Sequence, residues 1–174
     1  MTWTSPRPER LVPPPSGDER TQLEAWLDHH RQTLLVKCAG LTPEQLAARS
    51  VPPSTMSLLG LLRHMADVER SWFRRRIAGQ DLPFLYSDVV DNPDGDFDDA
   101  SPATAEADWD IFLNEVELAR QTAEGRSLED TFFHRQHEQE MDVRWVYLHM
   151  IEEYARHNGH ADLLRERIDG VTGS

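Results

Sequence analysis

Hydrophobic residues recur at helical spacing in four stretches of the chain, with polar residues between them. The four predicted helices cover about residues 18–39, 57–78, 102–123 and 142–169. No segment shows a convincing alternating strand pattern. The pattern therefore predicts an all-α fold, a four-helix bundle. The inward stripes are Leu23, Leu27 and Leu34; Leu58, Leu61, Met65, Val68 and Trp72; Trp109, Phe112, Leu113 and Val116; and Val146, Met150, Ala161, Leu164 and Ile168.

The segments outside these helices differ in composition. Residues 1–16 are rich in proline and lack periodicity, which predicts an extended tail on the surface or on a partner subunit, followed by a single domain over residues 17–174. Residues 81–101, between helices two and three, form an acidic, irregular connection that is longer than most in a bundle. Residues 127–141 lack helical period and are expected to cross the bundle in extended form.

Charge and cysteine content exclude several functional classes. A net charge of −13 and a pI near 4.9 argue against nucleic acid and anionic membrane as partners, since both require a basic surface. No run approaches the length of a transmembrane span, and the N-terminus lacks the apolar core of a secretory signal. The single cysteine, Cys38, cannot form an intrachain disulfide, which fits a reducing cytoplasm. We therefore expect a cytoplasmic protein.

The last predicted helix turns two ionisable side chains into its own apolar stripe. Glu153 and His157 lie one turn apart in the middle of the stripe, where burial without a partner would cost several kcal/mol. A metal ion would compensate both, because neighbours at i and i+4 can chelate. His64 on the second helix is the candidate third ligand, with Gly60 one turn earlier leaving space around it. Two histidines and a glutamate suit an open zinc site, and nickel, iron or manganese remain alternatives.

Four further side chains are candidates for the surroundings of this site. His149 and His160 lie at the edges of the stripe and could be partners of the ligands or rim residues. Tyr154 could shape a pocket, and His30 interrupts the first helix's stripe and could reach a central cavity. No catalytic residue is assigned. The alternative to a metal site is an ordinary buried ion pair between Glu153 and His157.

Two other clusters have a simpler structural interpretation. Arg74, Arg75 and Arg76 close the second helix, where positive charge stabilises the helix C-terminus, with anion binding as the secondary interpretation. His134 and His137 could bind a metal, but they lie on an irregular polar segment, which favours a solvated loop.

Two stretches carry a family resemblance. The runs SLLGLLRHMADVERSWF and WVYLHMIEEYARHNGHADLLRERIDG resemble the DinB-like superfamily of four-helix-bundle metalloenzymes, over about residues 18–170. This resemblance implies a metal triad formed by one histidine of the second helix and two ligands an i, i+4 step apart on the last. The matching residues are His64, Glu153 and His157. Many members have two histidines on the last helix, whereas the mycothiol-dependent maleylpyruvate isomerases have Glu and His, as this chain does.

The resemblance implies a divalent-metal-dependent enzyme acting on a small molecule. Thiol transfer, isomerisation and hydrolysis are all compatible with it, with a low-molecular-weight thiol such as mycothiol as cosubstrate. Superfamily members are often dimers, so a homodimer is also implied. The alternative is a non-catalytic, stress-related or ligand-binding bundle whose metal is structural or absent.

Overall fold

The computed structural model describes residues 3–88, 90–135 and 138–172. Within these ranges the chain is mostly helical, with six α-helices and a two-stranded antiparallel sheet. No helix there is long and apolar enough to cross a membrane. The helices are α1 (Glu19–Cys38), α2 (Pro43–Leu46), α3 (Leu58–Glu69), α4 (Gly95–Asp98), α5 (Ala105–Ala123) and α6 (Val143–Asp169). A π-helical segment (Arg70–Ile77) continues α3, a 3-10 turn (Pro102–Thr104) precedes α5, and the strands are β1 (Thr131–His134) and β2 (Gln139–Asp142).

The long helices begin where polar side chains satisfy their first free N–H groups. Asp18, Ser57 and Asp142 each accept a hydrogen bond from the backbone N–H three residues later. The predicted starts of the second and fourth long helices are thereby confirmed. Gly170 ends α6 in the left-handed conformation, with φ of 77°, which favours glycine at this position.

The long helices associate in two pairs, α1 with α6 and α3 with α5. Glu19 and Arg144, near the N-termini of α1 and α6, form an ion pair at 2.6 Å, and Lys37 and Asp162 pair near the C-termini. Helices α1 and α6 are therefore parallel. The apolar stripes of all four long helices meet in one core. Leu113 is an exception: it was predicted to face inward, but it lies on the outer side of α5 with 41% of its surface exposed.

Residues 127–141 do not simply cross the helices in extended form. They contain a β-hairpin in which Phe132 pairs with Met141. His134, at the end of β1, is 2% exposed, so the prediction of a solvated loop is wrong for this residue. His137 lies outside the described residues. Strand pairing, which requires no helical period, explains why the segment gave no clear sequence signal.

The proline-rich N-terminal segment lies against the body of its own chain. Trp3 packs edge-to-face on Trp109 of α5, with ring centroids 6.3 Å apart. Ser5 is buried, its backbone N–H donates to the Leu41 carbonyl, and its hydroxyl donates to the Cys38 carbonyl. Burial of the adjacent Cys38 thiol raises its pKa to about 12, so it stays protonated and unreactive at neutral pH.

The acidic connection between α3 and α5 is fixed to α3 by two buried side chains. Arg63 donates to the carbonyl oxygens of Gly95 and Asp96, at 3.0 and 2.9 Å. Asp67 accepts from the backbone N–H groups of residues 85, 86 and 87. This segment therefore packs over α3, where α4 makes its contacts. Phe97 fills the space that Gly60 was expected to leave around His64. A Cβ at Gly60 would lie 2.6 Å from the Phe97 ring.

We expect Gly60→Ala to lower the free energy of unfolding by about 1–2 kcal/mol, because overpacking against Phe97 outweighs the gain in helix propensity. Gly159→Ala is the matched control, since an added Cβ within α6 meets nothing within 4 Å there. That variant should gain up to about 1 kcal/mol. Urea denaturation measures both, and equal stabilisation of the two variants would show that Phe97 does not restrict Gly60.

Candidate metal centre

Three side chains from two helices converge where α3 crosses α6. His64 of α3 and Glu153 and His157 of α6 each offer one donor atom, and these atoms all lie within 4.8 Å of one another. The two imidazole centroids are 4.7 Å apart, and His157 Nε2 lies 3.3 Å from Glu153 Oε2. The structure thus brings together the three residues predicted as ligands.

The acidic connection holds the ring of His64. Asp96 Oδ2 lies 2.7 Å from His64 Nδ1, and because a carboxylate only accepts, Nδ1 carries the proton. The other ring nitrogen, Nε2, is then free of that proton and suited to ligate a metal. Phe97 stacks on the same ring at 5.5 Å. The tautomer and the orientation of His64 are therefore both set by residues of this segment.

His157 has a partner on its other ring nitrogen as well. His160 Nδ1 lies 3.4 Å from His157 Nδ1, on the side of the ring away from the nitrogen that faces Glu153. Its role as a partner of the ligand or as a rim residue remains a prediction. Burial, followed by the neighbouring His64, lowers the pKa of His157 to about 4 despite the opposing effect of Glu153. At pH 7 the imidazole is therefore neutral. A charged Glu153–His157 ion pair would need the protonated form.

His149 lies beside the triad rather than within it. Its Nε2 is 3.8 Å from Glu153 Oε1, and its ring stacks on Trp145 with centroids 4.9 Å apart. Trp72, from the π-helical segment, packs edge-on against the same ring at 4.6 Å. Burial lowers the pKa of His149. His149 with Glu153 and the exposed Glu152 forms a second group of nearby donor atoms, which shares its central carboxylate with the triad.

The two remaining candidates have hydrogen-bond partners outside the triad. Tyr154 is fully buried and donates its hydroxyl proton to Glu69 at 2.7 Å. His30 lies on α1, where its backbone carbonyl accepts from Asn158 Nδ2 at 3.1 Å and its ring neighbours Trp26. Tyr154 faces the core, and His30 faces the contact between α1 and α6. The helical wheel alone could not distinguish these positions from the face that holds the predicted ligands.

The donor set suits a divalent ion. The set consists of two imidazoles and one carboxylate. The side chains of His64 and Glu153 remain 27% and 19% exposed, which leaves room for further ligands from solvent. The three cavities described, with volumes of 290, 910 and 220 Å³, are lined by other residues. The exposed parts of His64 and Glu153 give solvent access to the triad.

Asp96 and Phe97 are the residues of this site that the sequence did not reveal. They lie in the irregular acidic segment, more than thirty positions from His64, and their neighbours are also acidic. The one available signal was Gly60, whose missing side chain admits Phe97 and so allows Asp96 to approach α3.

Comparison with known proteins gives one finding at the level of the family. Residues 22–170 match the model of a family described as Mycothiol-S-transferase. This is a DinB-like family, so the resemblance drawn from the sequence is confirmed. No curated protein and no solved structure matched the chain.

Proposed function

The chain belongs to the mycothiol-S-transferase family, and from this membership we propose that it is a divalent-metal-dependent enzyme that joins the thiol of mycothiol to a small electrophilic molecule. The observation that carries the proposal is the convergence of His64, Glu153 and His157 across α3 and α6. These residues would hold the ion, and zinc is the metal we expect, with nickel, iron or manganese as alternatives.

A divalent ion held there would lower the pKa of a bound thiol, so that the thiol reacts as a thiolate at neutral pH. Asp96 keeps the proton on His64 Nδ1 and so keeps Nε2 available, while His160 lies at the second nitrogen of His157. In the transfer, the thiolate sulfur forms a bond to an electrophilic carbon, and the leaving group departs with the electron pair of the bond that breaks. The buried Cys38 takes no part, so the sulfur comes from the external thiol.

The proposal extends to the organisation of the chain. We take residues 17–174 as one domain in which the four long helices act as a four-helix bundle, with residues 1–16 as a tail. A cytoplasmic homodimer is in keeping with a mycothiol-using enzyme. The long acidic connection has a role in this arrangement, because it supplies the carboxylate that orients His64.

The test combines metal content with thiol transfer. Protein purified without an affinity tag should contain close to one equivalent of a divalent metal by mass spectrometry. It should also conjugate mycothiol to a chromogenic aryl halide, and chelation should remove that activity until the metal is restored. If the protein contained the metal but transferred no thiol, the proposed metal site would stand and the proposed reaction would be wrong. A protein that never binds metal would instead favour the non-catalytic bundle.

A further inference from the structure

The arginine run that ends the π-helical segment divides into two kinds of side chain. Arg74 Nη1 contacts the buried Glu115 at 3.0 Å, and Arg70 contacts the same carboxylate at 2.7 Å. Arg75 and Arg76 form no ion pair with a carboxylate anywhere in the described parts of the chain. Acidic residues outnumber Lys and Arg by 31 to 18, so this separation from carboxylates is not due to a shortage of them.

Aromatic rings hold both guanidinium groups in place without neutralising them. Arg75 lies over Phe84 at 4.1 Å, and Arg76 lies over Trp72 at 4.5 Å. Arg76 Nε also donates to His134 Nε2 at 2.6 Å, which anchors this guanidinium to β1. Burial and the neighbouring positive charge of Arg75 lower the pKa of Arg76. Two cations are therefore kept side by side, and a bound anion would relieve their repulsion.

These two guanidiniums line a cleft of 910 Å³ between the end of the π-helical segment and the hairpin. Phe84, Phe132 and Phe133 line the same cleft, and Phe133 is 61% exposed. The C-terminal end of the helical segment contributes only about half a negative charge, less than two full positive charges. Asp81 also lines the cleft but makes no ion pair in the described structure. The cleft therefore combines positive charge with apolar walls.

We propose that this cleft binds a small organic anion with a planar apolar body, of the class of aromatic carboxylates. The face of Arg75 lies on Phe84, and its N–H groups form no hydrogen bond to other described residues, so its edge can donate two parallel bonds to a carboxylate. The exposed ring of Phe133 offers a surface for the planar body. Arg76, fixed on Trp72, adds the second positive charge.

The cleft is separate from the metal triad but structurally connected to it. Trp72 contacts Arg76 on one side and His149 on the other, and His149 lies next to Glu153. Arg75 follows His64 by eleven residues, which corresponds to a rise of about 16 Å along the helix axis. The anion site is proposed from its own contacts and does not depend on the triad binding a metal.

Binding is tested with benzoate as the probe and benzamide as its neutral counterpart, by NMR titration of the arginine Nε–H resonances. The chemical shifts should saturate with benzoate and change most at Arg75 and Arg76. Benzamide should bind more weakly than benzoate by about tenfold or more. Inorganic phosphate should also bind more weakly, since it lacks the ring. Equal binding of benzoate and benzamide would overturn the charge recognition, and equal binding of phosphate would overturn the aromatic class.

Arg75→Gln is the decisive variant, because Arg75 lies over Phe84 and makes no ion pair or hydrogen bond to the described residues, so its loss should leave the fold intact. Benzoate affinity should fall about tenfold or more. Arg167→Gln removes the same charge from the exposed last turn of α6 and should bind benzoate as the wild type does. The titration is repeated with His157→Ala, in which benzoate binding should persist. Equal affinities in Arg75→Gln and Arg167→Gln would reject the site, whatever the metal content.

Discussion

Replacing His157 by alanine is expected to remove both the bound metal and mycothiol transfer, the largest functional effect that the structure predicts. His157 is a buried member of the triad, and its Nε2 lies beside the Glu153 carboxylate. Loss of an outer partner of a metal ligand typically costs about 10- to 100-fold in affinity, and loss of a ligand should cost more. Metal content and the rate of conjugate formation are the two measurements.

Two further variants make this prediction quantitative. Asp96→Ala removes the partner of His64 Nδ1, together with a local bond from the Phe97 N–H, and keeps all three ligands. It should weaken metal binding by about 10- to 100-fold and leave a measurable rate. His29→Ala, on α1, removes a histidine that is outside the triad and contacts the Leu11 carbonyl. It should retain metal and activity. Full metal occupancy in His157→Ala would contradict the triad, and a loss in His29→Ala equal to that in Asp96→Ala would indicate a general effect of stability.

The helical part of the fold could be predicted from the sequence because it depends on local patterns. With the π-helical segment counted as part of α3, the four predicted helices agree with the observed long helices to within about three residues at each end, since cap residues and apolar spacing lie within the segments themselves. The i, i+4 relation of Glu153 and His157 is local for the same reason. His64 was the candidate third ligand from its place on the second helix, and the resemblance implied the same residue. The role of the three residues as metal ligands remains a prediction.

The parts that could not be predicted depend on contacts between distant segments. Asp96 reaches His64 only because Arg63 and Asp67 fix the acidic segment to α3 and Gly60 admits Phe97. No periodicity signals such side-chain to backbone bonds. The hairpin depends likewise on pairing between β1 and β2, and the π-helical segment has no sequence signature that we can identify. The bond of Tyr154 to Glu69 depends in the same way on a contact between distant segments, α6 and α3.

The buried Glu69 supplies the largest predicted effect on stability. Its carboxylate is fully buried and accepts two bonds from Arg31, each of 2.7 Å, and a third from the Tyr154 hydroxyl. These three residues belong to α3, α1 and α6. Because Arg31 is itself buried, Glu69→Ala leaves the positive charge of Arg31 in the interior without its main partner. We expect the free energy of unfolding to fall by about 3–5 kcal/mol, measured by urea denaturation.

The double variant Arg31→Met, Glu69→Leu separates the cost of an unpaired charge from the value of the pair. With both charges replaced by apolar groups of similar size, the variant should recover most of the loss in Glu69→Ala. It should stay below the wild type, because the buried Tyr154 hydroxyl then lacks its acceptor. Asp98→Ala breaks the exposed pair with Arg49 and should cost less than about 1 kcal/mol. If Glu69→Ala cost no more than Asp98→Ala, Asp28, which also contacts Arg31, would be a sufficient partner. If the double variant were as unstable as Glu69→Ala, the pair itself would hold α1, α3 and α6 together, and with them the helices that carry the triad.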